Sequence, residues 1–229
     1  MFPYYMDSTA LLLLPPLLLS LWAQWQVKSA FAHYSCVHSR ENVTAREVAR
    51  MLLSRFGMGD MPVNRVAGSL TDHYDPTSRT LSLSEDVYDS TSIAAIGVAA
   101  HEVGHAIQHS RSYAPLMFRN SIVPAVNLVS GLSMPLFLLG LFMGSPMLLN
   151  VGILLFCGVV VFHMVTLPVE FDASSRALWL LAETGALAPD ELGGARKVLR
   201  AAALTYVAAA LMAVLQLVRL LLLRNSRDR

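Results

Sequence analysis

"MLLNVGILLFCGVVVFHMVTLPVEFDAS", residues 147–174, decides what kind of fold this chain adopts. Residues 147–167 are almost wholly apolar and reach the ~20 residues that a helix needs to cross a bilayer. Pro168 and two acids, Glu170 and Asp172, follow at once. An apolar run that ends on carboxylates reads as a membrane helix delivering chemistry to its end.

Working outward, three more runs have similar character, at 8–27, 122–143 and 201–223. All four carry flaws: Pro15 and Pro16 in the first, Pro124, Asn127 and Pro135 in the second, Asn150 and His163 in the third, Gln216 and Arg219 in the fourth. Membrane helices tolerate such residues when neighbouring helices satisfy them, so the pattern points to a packed bundle more than to lone anchors. Composition agrees. The 229 residues are 55% hydrophobic and 14% charged, against about 25% charged in soluble domains, and mean hydropathy is +0.51. A net charge of +1 gives no argument for nucleic acid or for an acidic partner. Cys36 and Cys157 lie in unlike surroundings and suggest neither a disulfide nor a metal site.

The first run has a second reading as a signal peptide, since "SAFAH" (29–33) offers a small-residue cleavage site. No Lys or Arg precedes it, and Trp22 and Trp25 stand where an interfacial aromatic belt would, so an uncleaved helix is expected. Residues 28–120 hold nine Lys and Arg and residues 168–200 hold four, while the link between the second and third runs holds none. The positive-inside rule then puts both polar segments in the cytoplasm. The arginines of "RNSRDR" (224–229) leave two readings open for the fourth run: it crosses, or it lies partly in the interface.

Between the first two runs the sequence is patterned as a small mixed element. Residues 41–56, "ENVTAREVARMLLSRF", form an amphipathic helix with Thr44 and Glu47 as a capping box. Gly57 and Gly59 stop it. Residues 63–84 alternate and turn, with "DPTS" as the turn and "RTLSLS" as a short strand of a hairpin. "DSTS" then offers caps for a helix over about 93–109.

That helix carries "HEVGH", residues 101–105. His101 and His105 are one turn apart on one face, so both imidazoles can reach one zinc ion. Glu102 is the next residue round the helix and can take a proton from water held at the metal. Such a triplet arises by chance on the order of one per cent of the time in a chain of this length. A catalytic zinc needs a third ligand. Gln108 and Arg111 stand where a metzincin would have Gly and His, and His109 lies too far along the axis from His101 to close the site. Glu170 is the preferred third ligand, on a helix expected to begin after Pro168; Asp172 faces nearly the opposite way.

Five stretches, "AQWQVKS", "LTDHYDPTSRTLSLSEDVY", "SIAAIGVAAHEVGHAIQ", "TLPVEFDAS" and "RKVLRAAALTYVAAAL", resemble in order the YugP-like family of bacterial membrane neutral zinc metallopeptidases. The resemblance implies a membrane-bound zinc peptidase with His101, His105 and Glu170 on the metal and Glu102 as base. It is also similar to integral-membrane gluzincins, which carry Glu-x-x-Ala-Asp; here Ser174 replaces the aspartate, and Asp172 or another acid is left to compensate.

The expectation is therefore a mainly α, polytopic helical membrane protein of one domain with a small zincin-like α+β catalytic element. The 28–121 segment carries the motif helix and 168–200 the third ligand. One Zn²⁺ per chain would serve hydrolysis of peptides or membrane proteins at the cytoplasmic face of the cell membrane. A catalytically silent membrane module is the alternative. "RTLSLS" is a candidate edge for substrate strand addition, His73, Tyr74 and Tyr206 are candidate oxyanion donors, and His163 is a polar group at membrane depth.

Overall fold

The structure is a computed structural model that describes residues 8–226. A 3₁₀ segment, Ser8–Leu13, leads into α1, Leu14–Ser35. Pro15 and Pro16 fall in the first turn of α1, where a missing N–H leaves no helical bond unmade. α2, Ala45–Arg55, starts at the Thr44–Glu47 capping box, and Gly57 after it takes a positive φ of 71° that a side chain would strain. Both features match the sequence reading.

Strands β1 (Val63–Val66), β2 (His73–Asp75) and β3 (Thr80–Ser84) precede a short helix, α3 (Glu85–Tyr88), and the motif helix α4, Ile93–Ser110. The Ser92 side chain caps α4 by accepting from Ala95 N–H. Three long helices follow: α5 (Ala114–Met143), α6 (Pro146–Thr184) and α7 (Leu192–Asn225). Thr9–Ser35, α5, α6 and α7 are each long and apolar enough to cross a membrane. The fold is thus mainly helical with a three-stranded element, as composition and patterning foretold.

Two expectations are corrected. The sheet order is β1-β3-β2, with β1 parallel and β2 antiparallel to β3. "RTLSLS" is therefore the central strand. Both its edges are already hydrogen-bonded, so no substrate can add there. Leu81 and Leu83 are fully buried, and that burial draws the strand to the middle. Second, no helix begins at Pro168. α6 runs unbroken for 39 residues with Pro168 inside it. The proline removes one helical hydrogen bond, a local loss that the flanking turns on both sides of it outweigh.

The chain forms two compact units. One, of the described residues 8–22, 117–167 and 205–226, centres on Phe137, Leu149, Ile153 and Leu220. A Cβ on Gly152 would stand 2.8 Å from Phe137 N, so α5 and α6 approach backbone to backbone there, as small residues allow in lipid.

The other unit, residues 23–116 and 168–204, packs Leu52, Leu53, Leu81, Leu83, Ile96, Ile107, Leu180 and Leu181 into one core. The small sheet and α2 thereby support the motif helix. Leu83→Ala should lower the stability of this unit by about 2–5 kcal/mol. A thermal midpoint equal to that of the parent chain would show that the sheet does not buttress α4.

Candidate metal centre

The face of α4 that matters repeats at helical spacing: His101, Gly104, His105 and Gln108. Against it lies the face of α6 that carries Glu170, Ala173 and Ser174. What lets the two helices meet is the absence of bulk. A Cβ on Gly104 would come within 2.7 Å of the Ala173 carbonyl oxygen. Glycine costs helix propensity, so here its use is space.

That close approach brings three donors together. His101, His105 and Glu170 each offer one atom, all within 4.8 Å of one another. Glu170 Oε2 lies 3.3 Å from His101 Nε2 and 3.6 Å from His105 Nε2. Two donors of a tetrahedral zinc, each at roughly 2.0–2.1 Å, stand about 3.3–3.4 Å apart. The separations and the two-nitrogen, one-oxygen donor set therefore fit a zinc ion. Glu170 is 4% and Glu102 8% exposed, so both carboxylates sit out of bulk water.

Burial opposes charging His105, yet the hydrogen bond to Glu170 and the nearby charges of Glu102 and Glu170 outweigh it. The His105 pKa stands above the usual histidine value.

The far sides of both imidazoles are also held. Ser174 Oγ lies 3.1 Å from His101 Nδ1. The hydroxyl occupies the place where the resemblance led one to look for an aspartate. His105 Nδ1 is 3.0 Å from Gln108 Oε1, and Gln108 Nε2 donates to Asp172 Oδ2 at 2.8 Å. Asp172 in turn pairs with Arg176. Asp172 therefore does not face the three donors, as expected from its helix position, but it reaches His105 through an amide.

Gln108 is the residue that the sequence reading passed over, noting it only as a mismatch to another motif. Its spacing from His105, three residues on one face, was the available signal. Asp72 was also missed. It accepts from Ser84 N–H at 2.7 Å and Ser84 Oγ–H at 3.0 Å, joining the start of β2 to the end of β3. Burial pushes its pKa up against those bonds, and the Glu102 charge adds to the rise.

The remaining candidates are scattered in kind. Tyr74 O–H is 2.8 Å from His109 Nδ1, so each occupies the other. His73 is exposed, with Nδ1 2.9 Å from Thr71 O. Tyr206 is 37% exposed on α7. His163, in the unit of long apolar helices, lines a cavity of about 420 Å³ with Ser20, Phe156 and Gln216.

Comparison with known proteins agrees with this geometry in kind. No solved structure matches the chain. A Bacillus subtilis (strain 168) protein named "Putative membrane protease YugP" is 51% identical over 211 residues, covering 92% of this chain and 94% of that protein. The sequence model of a family described as "Putative neutral zinc metallopeptidase" matches residues 9–225. With nearly its whole length matched, the chain belongs to this neutral zinc metallopeptidase family.

Proposed function

We propose that the chain is a membrane-bound zinc endopeptidase in which His101, His105 and Glu170 hold the metal and Glu102 is the general base. The observation that carries this reading is the meeting of two imidazole nitrogens and a buried carboxylate at zinc-like separations, with a second carboxylate on the adjoining helical position. Zinc bound there would supply a Lewis acid that polarises a carbonyl and acidifies water.

The chain's own residues do the rest. Glu102 accepts the proton of the attacking water and returns it to the leaving amine. The low exposure of Glu102 and Glu170 limits competing solvent and strengthens each charge interaction. Ser174 and Gln108 hold the two imidazoles from behind.

Multi-pass insertion with the site facing the cytoplasm is supported by the basic residues of 28–120 and 168–200. Glu170 follows the 147–167 run by three positions, which favours membrane proteins or their juxtamembrane segments as substrates.

The test is metal removal. Purified chain in detergent should contain about one zinc per chain, lose cleavage of casein or of a membrane-protein substrate on chelation, and regain it when zinc is returned. Full cleavage after complete zinc removal would reject the metallopeptidase mechanism. Zinc without any hydrolysis would favour the silent module.

A further inference from the structure

The side chain of Gln108 is completely buried, on the turn of α4 after His105. A primary amide offers two N–H donors and one carbonyl acceptor. Here both sides of the group are committed. Nε2 donates to the Val169 carbonyl at 2.8 Å and to Asp172 Oδ2 at 2.8 Å. Oε1 lies 3.0 Å from His105 Nδ1.

The surroundings fix which end of the amide is which. A backbone carbonyl cannot donate, and Asp172 beside the Arg176 guanidinium is an acceptor. Turning the amide round would put its oxygen against two other oxygens at a buried side chain, an arrangement that costs the bonds on that side. Oε1 must therefore face His105. An oxygen acceptor there requires that Nδ1 of a neutral His105 carry the hydrogen. Its Nε2 is then the bare nitrogen, and Nε2 is the atom directed at Glu170, 3.6 Å away.

His101 is held differently. Ser174 Oγ can donate or accept, so the hydroxyl fits either tautomer of that ring. Of the two histidines, only His105 has its tautomer dictated from outside. The same amide also ties α4 to α6, because Val169 and Asp172 flank Glu170 in the sequence.

We propose that Gln108 is a positioning residue of the metal centre: it locks His105 with Nε2 bare and turned toward Glu170, and so sets the affinity for zinc. This rests on the metallopeptidase reading above. It assigns to a neutral amide the work that a carboxylate or backbone carbonyl often does behind a metal-bound histidine.

The test compares two variants with the parent chain, each full length in detergent. Zinc affinity is read by competition with a chromophoric chelator, and stability by thermal unfolding of the metal-free chain. Gln108→Met keeps the volume and removes the acceptor for His105. Zinc should bind it about ten- to hundred-fold more weakly, the usual cost of losing such a partner. Gln108→Glu keeps an acceptor for His105 but loses donors toward Val169 and Asp172. It should unfold at a lower temperature yet hold zinc within about threefold of the parent, since the locked ring survives.

That split is the signature of positioning. A purely structural role would make affinity follow stability in both variants, and that outcome overturns the proposal. Parent-like affinity in Gln108→Met also overturns it while leaving the metallopeptidase reading intact. If Gln108→Met does not fold, Gln108→Glu with affinity reduced tenfold or more refutes the proposal by itself. A parent chain that binds no zinc takes down the reading and the proposal together.

Discussion

Glu102→Gln is expected to abolish measurable peptide cleavage, lowering turnover by about 10²–10⁴-fold, while zinc content stays that of the parent chain. The two parts of this result follow from separate facts. Glu102 is not among the three converging donors, so losing its charge removes no ligand. Glutamine matches glutamate in size, so a side chain only 8% exposed is replaced without a cavity. What disappears is a carboxylate able to accept a proton and pass it on. Elemental analysis and a cleavage assay on the same preparation check both parts. Loss of zinc along with activity would move Glu102 from base to ligand. Retained activity would require another base, and Asp72, whose carboxyl is electrostatically coupled to Glu102, would be the first to examine.

Gly104→Ala is expected to do as much damage without touching a donor. The new methyl would lie 2.7 Å from the Ala173 carbonyl oxygen and 3.2 Å from the Ala173 Cα. These are backbone atoms of a long helix and cannot swing aside as a side chain would. Overpacking of this kind costs about 1–3 kcal/mol, and relief comes only if α4 and α6 separate. Separation acts directly on the distances that hold the centre together, because His101 and His105 stand on one helix and Glu170 on the other. Alanine favours helix over glycine by about 1 kcal/mol, which acts in the opposite direction on stability. The decisive measurement is therefore zinc affinity, expected to fall at least tenfold even where the thermal midpoint moves little. Parent-like zinc binding in Gly104→Ala would mean that the spacing of α4 and α6 is looser than this contact implies.

Much of the architecture was legible in the residues. Four long apolar runs pointed to helices, since a run of that length in lipid must satisfy its backbone groups internally, and four helices long and apolar enough to cross a membrane are found. Thr44, Glu47 and Ser92 announced their helix starts by chemistry local to a few residues. "HEVGH" was legible for the same reason: its meaning depends on spacing along one helix. Most of the failures involve partners distant in sequence, and Pro168 is the exception. Pro168 was read by its local habit as a helix start, whereas the turns on both sides of it hold α6 together. "RTLSLS" looked like an edge because its pairing with residues 63–66 is parallel and leaves no turn signal between the two strands. The part played by Gly104 shows only with Ala173 opposite it. Gln108 was a mismatch until Val169 and Asp172 gave its amide two acceptors.

The boundaries between the two compact units fall after residues 22, 116, 167 and 204, inside α1, α5, α6 and α7 respectively. The crossing after residue 116 lies beside the exposed turn at residues 111–113; the other three lie well inside their helices. Truncation after residue 22, 167 or 204 therefore leaves a severed helix with bare amides or carbonyls at the cut. A fragment carrying His101, His105 and Glu170 without the apolar runs must therefore be cut through α1, α6 and α7, and the metal centre is best made, purified and assayed in the full-length chain.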